Sequence, residues 1–187
     1  MAKFICLYGL PACGKTTQAE LLSKELGMTQ FGMGDRLRAE VESGSELGQR
    51  IKTYVDQGTL IPDEMMHEII NNVSAEANPN GIIFDGFPRK VSQAEMLDKI
   101  ANQLGTPIKA FFYIKVGAQE VVKRIGLRAE TGDREDDKDP AIVQTRIDVF
   151  VKESEPLMAY YRQQGKLIEI DGEQTIEQVF EEIKKFL

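Results

Sequence analysis

Residues 9–16 read GLPACGKT and match the pattern GxxxxGK[ST], whose glycines and lysine are typical of loops that bind phosphate groups. The apolar segment 3–8 precedes this pattern and the amphipathic segment 15–26 overlaps its end, so it lies between a predicted strand and a predicted helix. Backbone N–H groups at such a helix start point towards an anion, and the helix dipole favours negative charge there. We therefore predict a site for nucleotide phosphates, with Lys15 as its positive charge; an ordinary glycine turn is the alternative.

A candidate metal ligand, Asp85, ends the apolar run 82–84. In a phosphate-binding fold, an aspartate at the end of a strand beside the first strand helps to hold Mg²⁺, often through bound water. A hydroxyl group of Thr16 or Thr17 can reach the same ion. The alternative role of Asp85 is to cap the turn that follows the strand.

Arginine residues are concentrated around two polar parts of the chain. Guanidinium groups bind phosphate oxygens bidentately and keep their positive charge. An enzyme that moves a phosphoryl group needs such a clamp, because negative charge spreads over the transferred oxygens in the transition state. Any one of these arginines could equally form an ordinary surface salt bridge. The candidates are Arg36, Arg38, Arg89, Arg124, Arg128, Arg134 and Arg146.

The elements that must position these residues alternate between apolar strands and amphipathic helices. Continuous apolar runs such as 110–114 are typical of parallel strands that are covered on both faces. The alternation therefore predicts an α/β fold with a five-stranded parallel sheet and helices on both faces. The predicted strands are 3–8, 28–31, 81–85, 109–116 and 166–170. The predicted helices are 15–26, 35–43, 46–57, 63–75, 91–104, 118–128, 140–163 and 175–186.

Two stretches, 32–75 and 129–139, break the alternation. Insertions at the ends of strands usually cover a ligand, although the second stretch could also be a plain surface loop. Composition limits the possibilities further. A formal net charge of -7, from 30 acidic and 23 basic residues, argues against general nucleic-acid binding.

The chain offers few residues for other kinds of chemistry. Its single histidine, His67, lies in a helix pattern and is read as a surface or packing residue, so zinc and acid–base hydrolytic chemistry have no candidates. Two cysteines cannot form a metal site alone and favour a reduced, cytoplasmic setting. The start of the chain lacks a signal pattern and no apolar run could span a bilayer, so we expect no membrane attachment.

Together these segments resemble the adenylate kinase family of nucleoside monophosphate kinases over almost the whole chain. The resemblance rests on 9–18, GDRLR at 34–38, GTLIP at 58–62, DGFPR at 85–89, Gln93 and the arginines up to Arg146. It implies a P-loop three-layer sandwich, with residues 1–187 as a single kinase domain. It also implies an arm at 32–62 that binds the nucleoside monophosphate (NMP) and a short lid at 126–138.

The resemblance also implies a role for each matching residue. The catalytic residues would be Lys15, Arg89, Arg128, Arg134 and Arg146. ATP would be bound by Gly9, Ala12, Cys13, Gly14, Lys15, Thr16, Thr17, Arg124, Arg128 and Gln174. AMP would be bound by Met33, Arg38, Thr59, Leu60, Ile61, Gly86, Phe87, Pro88, Arg89, Gln93, Arg134 and Arg146. Mg²⁺ would be held by Asp85, Thr16 and Thr17, partly through water.

The chain departs from the usual pattern of that family at a few positions. Glycine is usual at Ala12 and Thr16, and serine or alanine is usual at Cys13. The methyl group of Ala12 is costly if its φ angle is positive. Met33 replaces a threonine that usually contacts the AMP base, and the spacing from Arg134 to Arg146 is one residue longer than in the commonest form.

These observations lead us to expect reversible transfer of the γ-phosphoryl group from MgATP to AMP, giving two ADP, by a monomer with Mg²⁺ as cofactor. One alternative is a UMP/CMP kinase or another nucleoside monophosphate kinase. Because UMP/CMP kinases tend to carry asparagine at the position of Gln93, that residue favours AMP. A different alternative, which Ala12 and Thr16 make plausible, is a nucleotide-binding regulator without turnover; an assay of ADP formation separates it from an enzyme.

Overall fold

The computed structural model describes residues 3–76, 78–131 and 135–187. Five parallel strands form one sheet in the order β2-β3-β1-β4-β5. The strands are β1 (Lys3–Tyr8), β2 (Thr29–Gly32), β3 (Gly81–Asp85), β4 (Ile108–Lys115) and β5 (Leu167–Asp171). The prediction of an α/β fold with a five-stranded parallel sheet is therefore confirmed.

Eight α-helices lie within the described ranges, and a short 3₁₀ helix covers Glu135–Asp137. The α-helices are α1 (Lys15–Leu26), α2 (Met33–Glu42), α3 (Glu46–Gln57), α4 (Asp63–Glu76), α5 (Val91–Gln103), α6 (Ala118–Thr131), α7 (Pro140–Gln163) and α8 (Ile176–Lys184). Nine of the sixteen predicted helix boundaries coincide with these, and the other seven differ by one to three residues. None of the described helices combines the length and the apolar character that crossing a membrane requires.

Alternate side chains of β1 point to opposite faces of the sheet, and this alternation separates two apolar layers. Phe4, Cys6 and Tyr8 belong to one cluster of buried side chains, which also contains residues of α2, α3, α4, α5 and α7. Ile5 and Leu7 belong to a second cluster, which contains residues of α1, α6 and α8. Helices therefore cover both faces, as the continuous apolar strands predict.

The position of β1 in the sheet indicates at which edge of the sheet a ligand would bind. Its neighbours are β3 on one side and β4 on the other, so the chain leaves β1 and moves in opposite directions to complete the sheet. In open parallel sheets, ligands bind beyond the carboxyl ends of the strands at such a reversal. Tyr8 and Asp85, the last residues of β1 and β3, lie at this edge.

The inserted stretch between β2 and α4 folds as α2 and α3, which pack against each other. The second irregular stretch contains the end of α6 and the 3₁₀ helix, which contacts both α6 and α7. Residues 132–134 of that stretch lie outside the described residues. The structure thus places additional elements at both positions where the alternation is interrupted.

Candidate active site

The connection from β1 to α1 is folded by unusual backbone angles. Gly9, Ala12 and Gly14 have φ angles of 151°, 59° and 99°. A Cβ atom at Gly9 would lie 2.6 Å from the Cys13 Sγ and 2.6 Å from the carbonyl oxygen of Ile114, so only glycine fits there. No side chain caps the start of α1 at Gly14. The first N–H groups of α1 are therefore available to an anion, as the pattern GxxxxGK[ST] predicts.

Lys15 folds back over this loop. Its ammonium group donates hydrogen bonds to the carbonyl oxygens of Gly9 at 2.9 Å and Leu10 at 2.8 Å, and it lies 3.4 Å from the Cys13 Sγ. Within the described residues no carboxylate pairs with it. The lysine charge at the mouth of the loop therefore remains to be neutralised by a ligand.

The thiol of Cys13 is enclosed by protein and lies 3.4 Å from the Lys15 ammonium group. It is buried and packs in the second apolar cluster with residues of α1 and β4. Contact of this residue with a nucleotide would therefore involve its backbone rather than its thiol.

Thr16 and Asp85 meet at the carboxyl edge of the sheet. The Thr16 hydroxyl donates a hydrogen bond of 2.6 Å to Oδ2 of Asp85, which is itself buried. Hydroxyl and carboxylate oxygens are the hard ligands that Mg²⁺ prefers, and Mg²⁺ usually takes few protein ligands and completes its shell with water and substrate phosphates. The described residues bring together no group of three or more histidine, cysteine or acidic side chains. The pair therefore fits Mg²⁺ held jointly with a nucleotide.

A cavity of about 300 Å³ connects the loop with the arginine residues. We call it the central cleft and define it by its lining. The predicted residues among the lining are Gly9, Ala12, Gly14, Lys15, Thr16, Thr17, Asp85, Gly86, Arg89, Arg124, Arg128 and Arg146. The remaining lining residues are Tyr8, Pro11, Gly34, Asp35, Gly58, Val149 and Phe150.

Arg89 is a half-buried cation that lines the central cleft. Its Nε donates to the carbonyl oxygen of Gly86 at 2.8 Å, and none of the described carboxylates forms an ion pair with it. Burial lowers the pKa of Arg89, and the positive charge of Arg146 lowers it further, while Asp85 acts in the opposite direction. A cation that is partly removed from water and lies near other cations is favoured when an anion joins it, so this position is suited to a phosphate group.

Arg128 and Arg146 are held by two acids from the 3₁₀ helix. Arg128 makes a bidentate contact with Asp137, with Nη2 donating to Oδ1 at 2.9 Å and Nε donating to Oδ2. Arg146 Nη1 donates to Asp136 Oδ2 at 2.8 Å and to Asp137 Oδ1 at 3.0 Å. Burial works to raise the pKa of Asp137, but hydrogen bonds and charges from both arginines outweigh it and leave that pKa below the ordinary value. The acids therefore fix the two guanidinium groups at the cleft.

Arg124 lines the cleft and is held at two points. Its Nε donates to Glu120 at 2.8 Å and its Nη2 donates to the carbonyl oxygen of Gly172 at 3.1 Å. Gln174 does not line the cleft; its amide donates to Glu182 at 2.8 Å and, more weakly, to the carbonyl oxygen of Asp171 at 3.3 Å. The backbone near Gly172 is thus close to Arg124, while the Gln174 side chain is engaged elsewhere.

The residues expected to bind AMP occupy two kinds of position. Gly86, Arg89 and Arg146 line the central cleft. The others are not among its lining residues: Met33, Arg38, Thr59, Leu60, Ile61, Phe87, Pro88 and Gln93. Arg38 is paired with Asp35, which does line the cleft. Arg134 lies outside the described residues.

Gln93 is fully buried next to Arg89. Its Oε1 accepts a hydrogen bond of 2.8 Å from the backbone N–H of Arg89, whereas its Nε2 has no partner among the described residues. Buried amide groups are rarely left unsatisfied. This donor lacks a partner within the described part of the chain, although the side chain is enclosed by protein and does not line the central cleft.

Several lining residues were not predicted as site residues. Val149 and Phe150 follow Arg146 by three and four residues on α7, so helical spacing places all three on one face. The sequence does offer a signal for Tyr8, because it is the last residue of β1 and directly precedes the loop at residues 9–14, which we call the phosphate loop. Gly58 lies against α7, because a Cβ atom there would lie 2.9 Å from Arg146 Cγ, and no sequence pattern indicates that contact.

Comparison with known proteins supplies independent information. A family model described as adenylate kinase matches residues 7–166. The chain is 45% identical over 176 residues to an adenylate kinase of Caulobacter vibrioides, which covers 94% of this chain and 92% of the relative. It is 38% identical over 182 residues to an adenylate kinase of Parabacteroides distasonis, with 97% and 95% covered. It is also 38% identical over 183 residues to an adenylate kinase of Thermus thermophilus, with 98% and 96% covered.

Proposed function

The chain belongs to the adenylate kinase family, and we propose that it catalyses the reversible transfer of the γ-phosphoryl group of MgATP to AMP, giving two molecules of ADP. The observation that carries this proposal is the arrangement around Arg89. This half-buried cation, without a carboxylate partner among the described residues, shares one cleft with Lys15, which follows the loop at residues 9–14. Two separate cationic centres in one cleft fit two phosphorylated substrates.

ATP occupies the side of the cleft formed by the phosphate loop. The N–H groups at the start of α1 and the ammonium group of Lys15 bind its β- and γ-phosphates. Arg124, held by Glu120 and Gly172, lies against its base, and Arg128 contacts its phosphates. The backbone around Gln174 lines the same base.

AMP occupies the opposite side, where Arg89 binds its phosphate together with Arg38. The amide of Gln93 pairs with its adenine through the Nε2 that has no protein partner among the described residues. Residues 59–61 and Met33 enclose the base from α2 and the segment after α3. In this arrangement 32–62 serve as the NMP-binding arm and 126–138 as a short lid, with Arg134 and Arg146 directed at the transferred group.

Mg²⁺ would be held by Asp85 and the hydroxyl groups of Thr16 and Thr17, partly through water, together with the nucleotide phosphates. When bound, it neutralises charge that develops on the phosphate oxygens. The donor set of the Thr16–Asp85 pair supports this assignment.

The chemistry requires positioning more than acid–base catalysis. An oxygen of the AMP phosphate attacks the γ-phosphorus, and the bond to the oxygen that bridges the β- and γ-phosphates breaks. The attacking oxygen is already anionic, so no side chain has to remove a proton from it. Lys15, Arg89, Arg128 and Arg146 stabilise the charge on the moving group, and closure of the lid excludes water that would otherwise hydrolyse ATP.

We further propose that the chain acts as a monomer in the cytoplasm. Its two cysteines are free and buried, which suits a reducing compartment. Light scattering of the purified protein, with and without nucleotide, tests the monomer.

The test is a coupled assay of ADP formation with ATP and each of AMP, CMP, UMP and GMP as acceptor. We expect AMP to be the best acceptor, and preference for a pyrimidine monophosphate would favour the alternative kinase. Arg89→Ala should lower turnover by orders of magnitude without unfolding the protein, because it removes a charge that acts on the transferred phosphate. Arg162→Ala is the matched control, since Arg162 is half exposed and its ion pairs among the described residues are with surface acids on α7 and β5. Near-normal ADP formation by Arg89→Ala would refute its role.

A further inference from the structure

Tyr8 is the last residue of β1 and directly precedes the phosphate loop. Only 3% of its surface is exposed, yet it lines the central cleft together with Lys15 and Arg89. None of the roles proposed above for the cleft residues involves Tyr8. Its hydroxyl group is therefore a polar group at the cleft, near two cations, that has no assigned role.

The ring of Tyr8 is fixed by aromatic neighbours. It stacks on Phe150 with ring centroids 5.1 Å apart and an interplanar angle of 26°. It also packs against Phe111 at 5.3 Å and Tyr113 at 6.1 Å. Because Phe150 lies one helical turn after Arg146 on α7, the stack ties the ring of Tyr8 to the helix that carries a cleft arginine.

Tyr8 lines the cleft, and its hydroxyl oxygen is not among the fully buried side-chain atoms that lack a partner. Within the described residues it makes no hydrogen bond, although the hydroxyl of a largely buried tyrosine normally has a partner. The neighbouring tyrosines of α7 differ: Tyr160 donates to Asp98 at 2.6 Å, and the hydroxyl of Tyr161 is sealed inside the core. The Tyr8 hydroxyl is not sealed in this way, so a ligand in the cleft can reach it.

The face of the sheet on which Tyr8 lies indicates which substrate its hydroxyl group faces. Tyr8 belongs to the same apolar cluster as Met33 and Phe87, which lies on the face covered by α2 and α7. Arg89 is its charged neighbour: burial raises the pKa of Tyr8, and the positive charge of Arg89 acts in the opposite direction. The hydroxyl therefore stays protonated at neutral pH and can donate a hydrogen bond beside Arg89.

We propose that the hydroxyl group of Tyr8 donates a hydrogen bond to a phosphate oxygen of the acceptor nucleoside monophosphate that Arg89 binds. This inference rests on the proposed function and adds a neutral donor to a phosphate site otherwise built from guanidinium groups. The neutral donor fixes the orientation of the phosphate without increasing the repulsion between neighbouring cations.

Tyr8→Phe removes only the hydroxyl oxygen and keeps the ring stack. We expect the dissociation constant and KM for AMP to rise about tenfold, because a hydrogen bond to a charged group is lost. The KM for ATP and the melting temperature should stay close to those of the parent protein. The affinity for adenosine, which lacks the phosphate, should not change. Tyr113→Phe is the matched control and should leave AMP binding unchanged, since Tyr113 does not line the cleft.

Three outcomes would overturn the proposal. Equal AMP affinity in Tyr8→Phe and the parent protein would show that the hydroxyl makes no contact. Equal losses of AMP and adenosine affinity would place the contact on the nucleoside. Parallel losses of AMP and ATP affinity with a lower melting temperature would mean that the oxygen only supports packing. If the parent protein binds AMP but forms no ADP, the proposed function fails while the binding measurements still decide the role of Tyr8.

Discussion

The hydroxyl group of Thr16 and the carboxylate of Asp85 are joined by a hydrogen bond of 2.6 Å, although 69 positions separate the two residues in the chain. The parallel pairing of β1 with β3 creates this contact, because Leu7 and Asp85 stand opposite each other in the register. The hydroxyl oxygen of Thr16, in the first turn of α1, therefore lies beside the carboxylate oxygens of Asp85, at the end of β3. This is the place where Mg²⁺ would be held beside the nucleotide phosphates.

Asp85→Asn should raise the Mg²⁺ concentration for half-maximal ADP formation by roughly tenfold or more, because a charged ligand becomes a neutral one. Thr16→Val should cause a smaller rise, since it removes the hydroxyl while the carboxylate remains. The measurement is a Mg²⁺ titration at fixed nucleotide concentrations. Glu181→Gln, on the exposed surface of α8, is the control. An unchanged midpoint in Asp85→Asn would contradict the assignment.

Asp137→Asn should reduce the free energy of unfolding at pH 7 by about 1–3 kcal/mol, because charged hydrogen bonds to Arg128 and Arg146 become neutral ones. Denaturant titrations measure this difference. Glu155→Gln, which affects only an exposed ion pair, should change little.

The same variant has an expected pH dependence. The pKa of Asp137 is lower in the folded protein than in the unfolded chain, so its contribution is complete above the ordinary carboxyl pKa of about 4 and is lost as the pH falls through the lowered value. The deficit of Asp137→Asn relative to the parent protein should therefore shrink in acid. A deficit that persists unchanged at pH 3 would show that the charge of Asp137 is not its source.

The sequence predicts the features of the fold and of the site that depend on residues close together in the chain. Periodicity and apolar runs predict the parallel sheet, and the pattern at 9–16 predicts the loop, because both depend on residues close together in the chain. The predicted start of α2 is residue 35, although the helix begins at Met33, because Gly34 weakens the helical signal there.

The contacts of the arginines could not be predicted in this way. Asp136 and Asp137 lie in a polar stretch without periodicity, and only the folding of α6, the 3₁₀ helix and α7 against one another brings them to Arg128 and Arg146. The same holds for Gly58, whose proximity to Arg146 depends on how α3 approaches α7. Such pairings are properties of tertiary packing.

Ala12 adopts a φ angle of 59°, which costs a residue with a Cβ atom roughly 1–2 kcal/mol. Ala12→Gly removes this cost but gives the unfolded chain more freedom, so we expect the free energy of unfolding to rise by about 1 kcal/mol at most. Ala12→Val should lower both stability and ATP affinity, because a β-branched side chain tolerates this conformation poorly.

Gly44→Ala provides the control for Ala12. Gly44 has a φ angle of 69° and an added Cβ atom would meet nothing within 4 Å, so the substitution tests the backbone cost alone. It should lower the free energy of unfolding by about 1 kcal/mol and leave ATP affinity unchanged. If Ala12→Val binds ATP as well as the parent protein, the loop does not approach the phosphates at this position.

Gln93→Asn should lower kcat/KM for AMP by about tenfold and narrow the preference for AMP over CMP. The shorter side chain cannot both accept the N–H of Arg89 and present its amide donor to the base, so one hydrogen bond is lost. Steady-state assays with each acceptor measure the effect, and Gln103→Asn at the exposed end of α5 is the control. An equal loss with AMP and CMP would indicate that Gln93 only positions Arg89.

Glu120→Gln should raise the KM for ATP about two- to fivefold and leave the KM for AMP unchanged, because the partly exposed carboxylate holds Arg124 from one side only. The hydrogen bond from Arg124 keeps the pKa of Glu120 below its ordinary value, so the pair is intact at neutral pH. The carbonyl oxygen of Gly172 still anchors the guanidinium group in the variant, and the loss should therefore be smaller than in Arg124→Ala. A rise in the KM for AMP, or a loss as large as that of Arg124→Ala, would contradict a role limited to orienting Arg124.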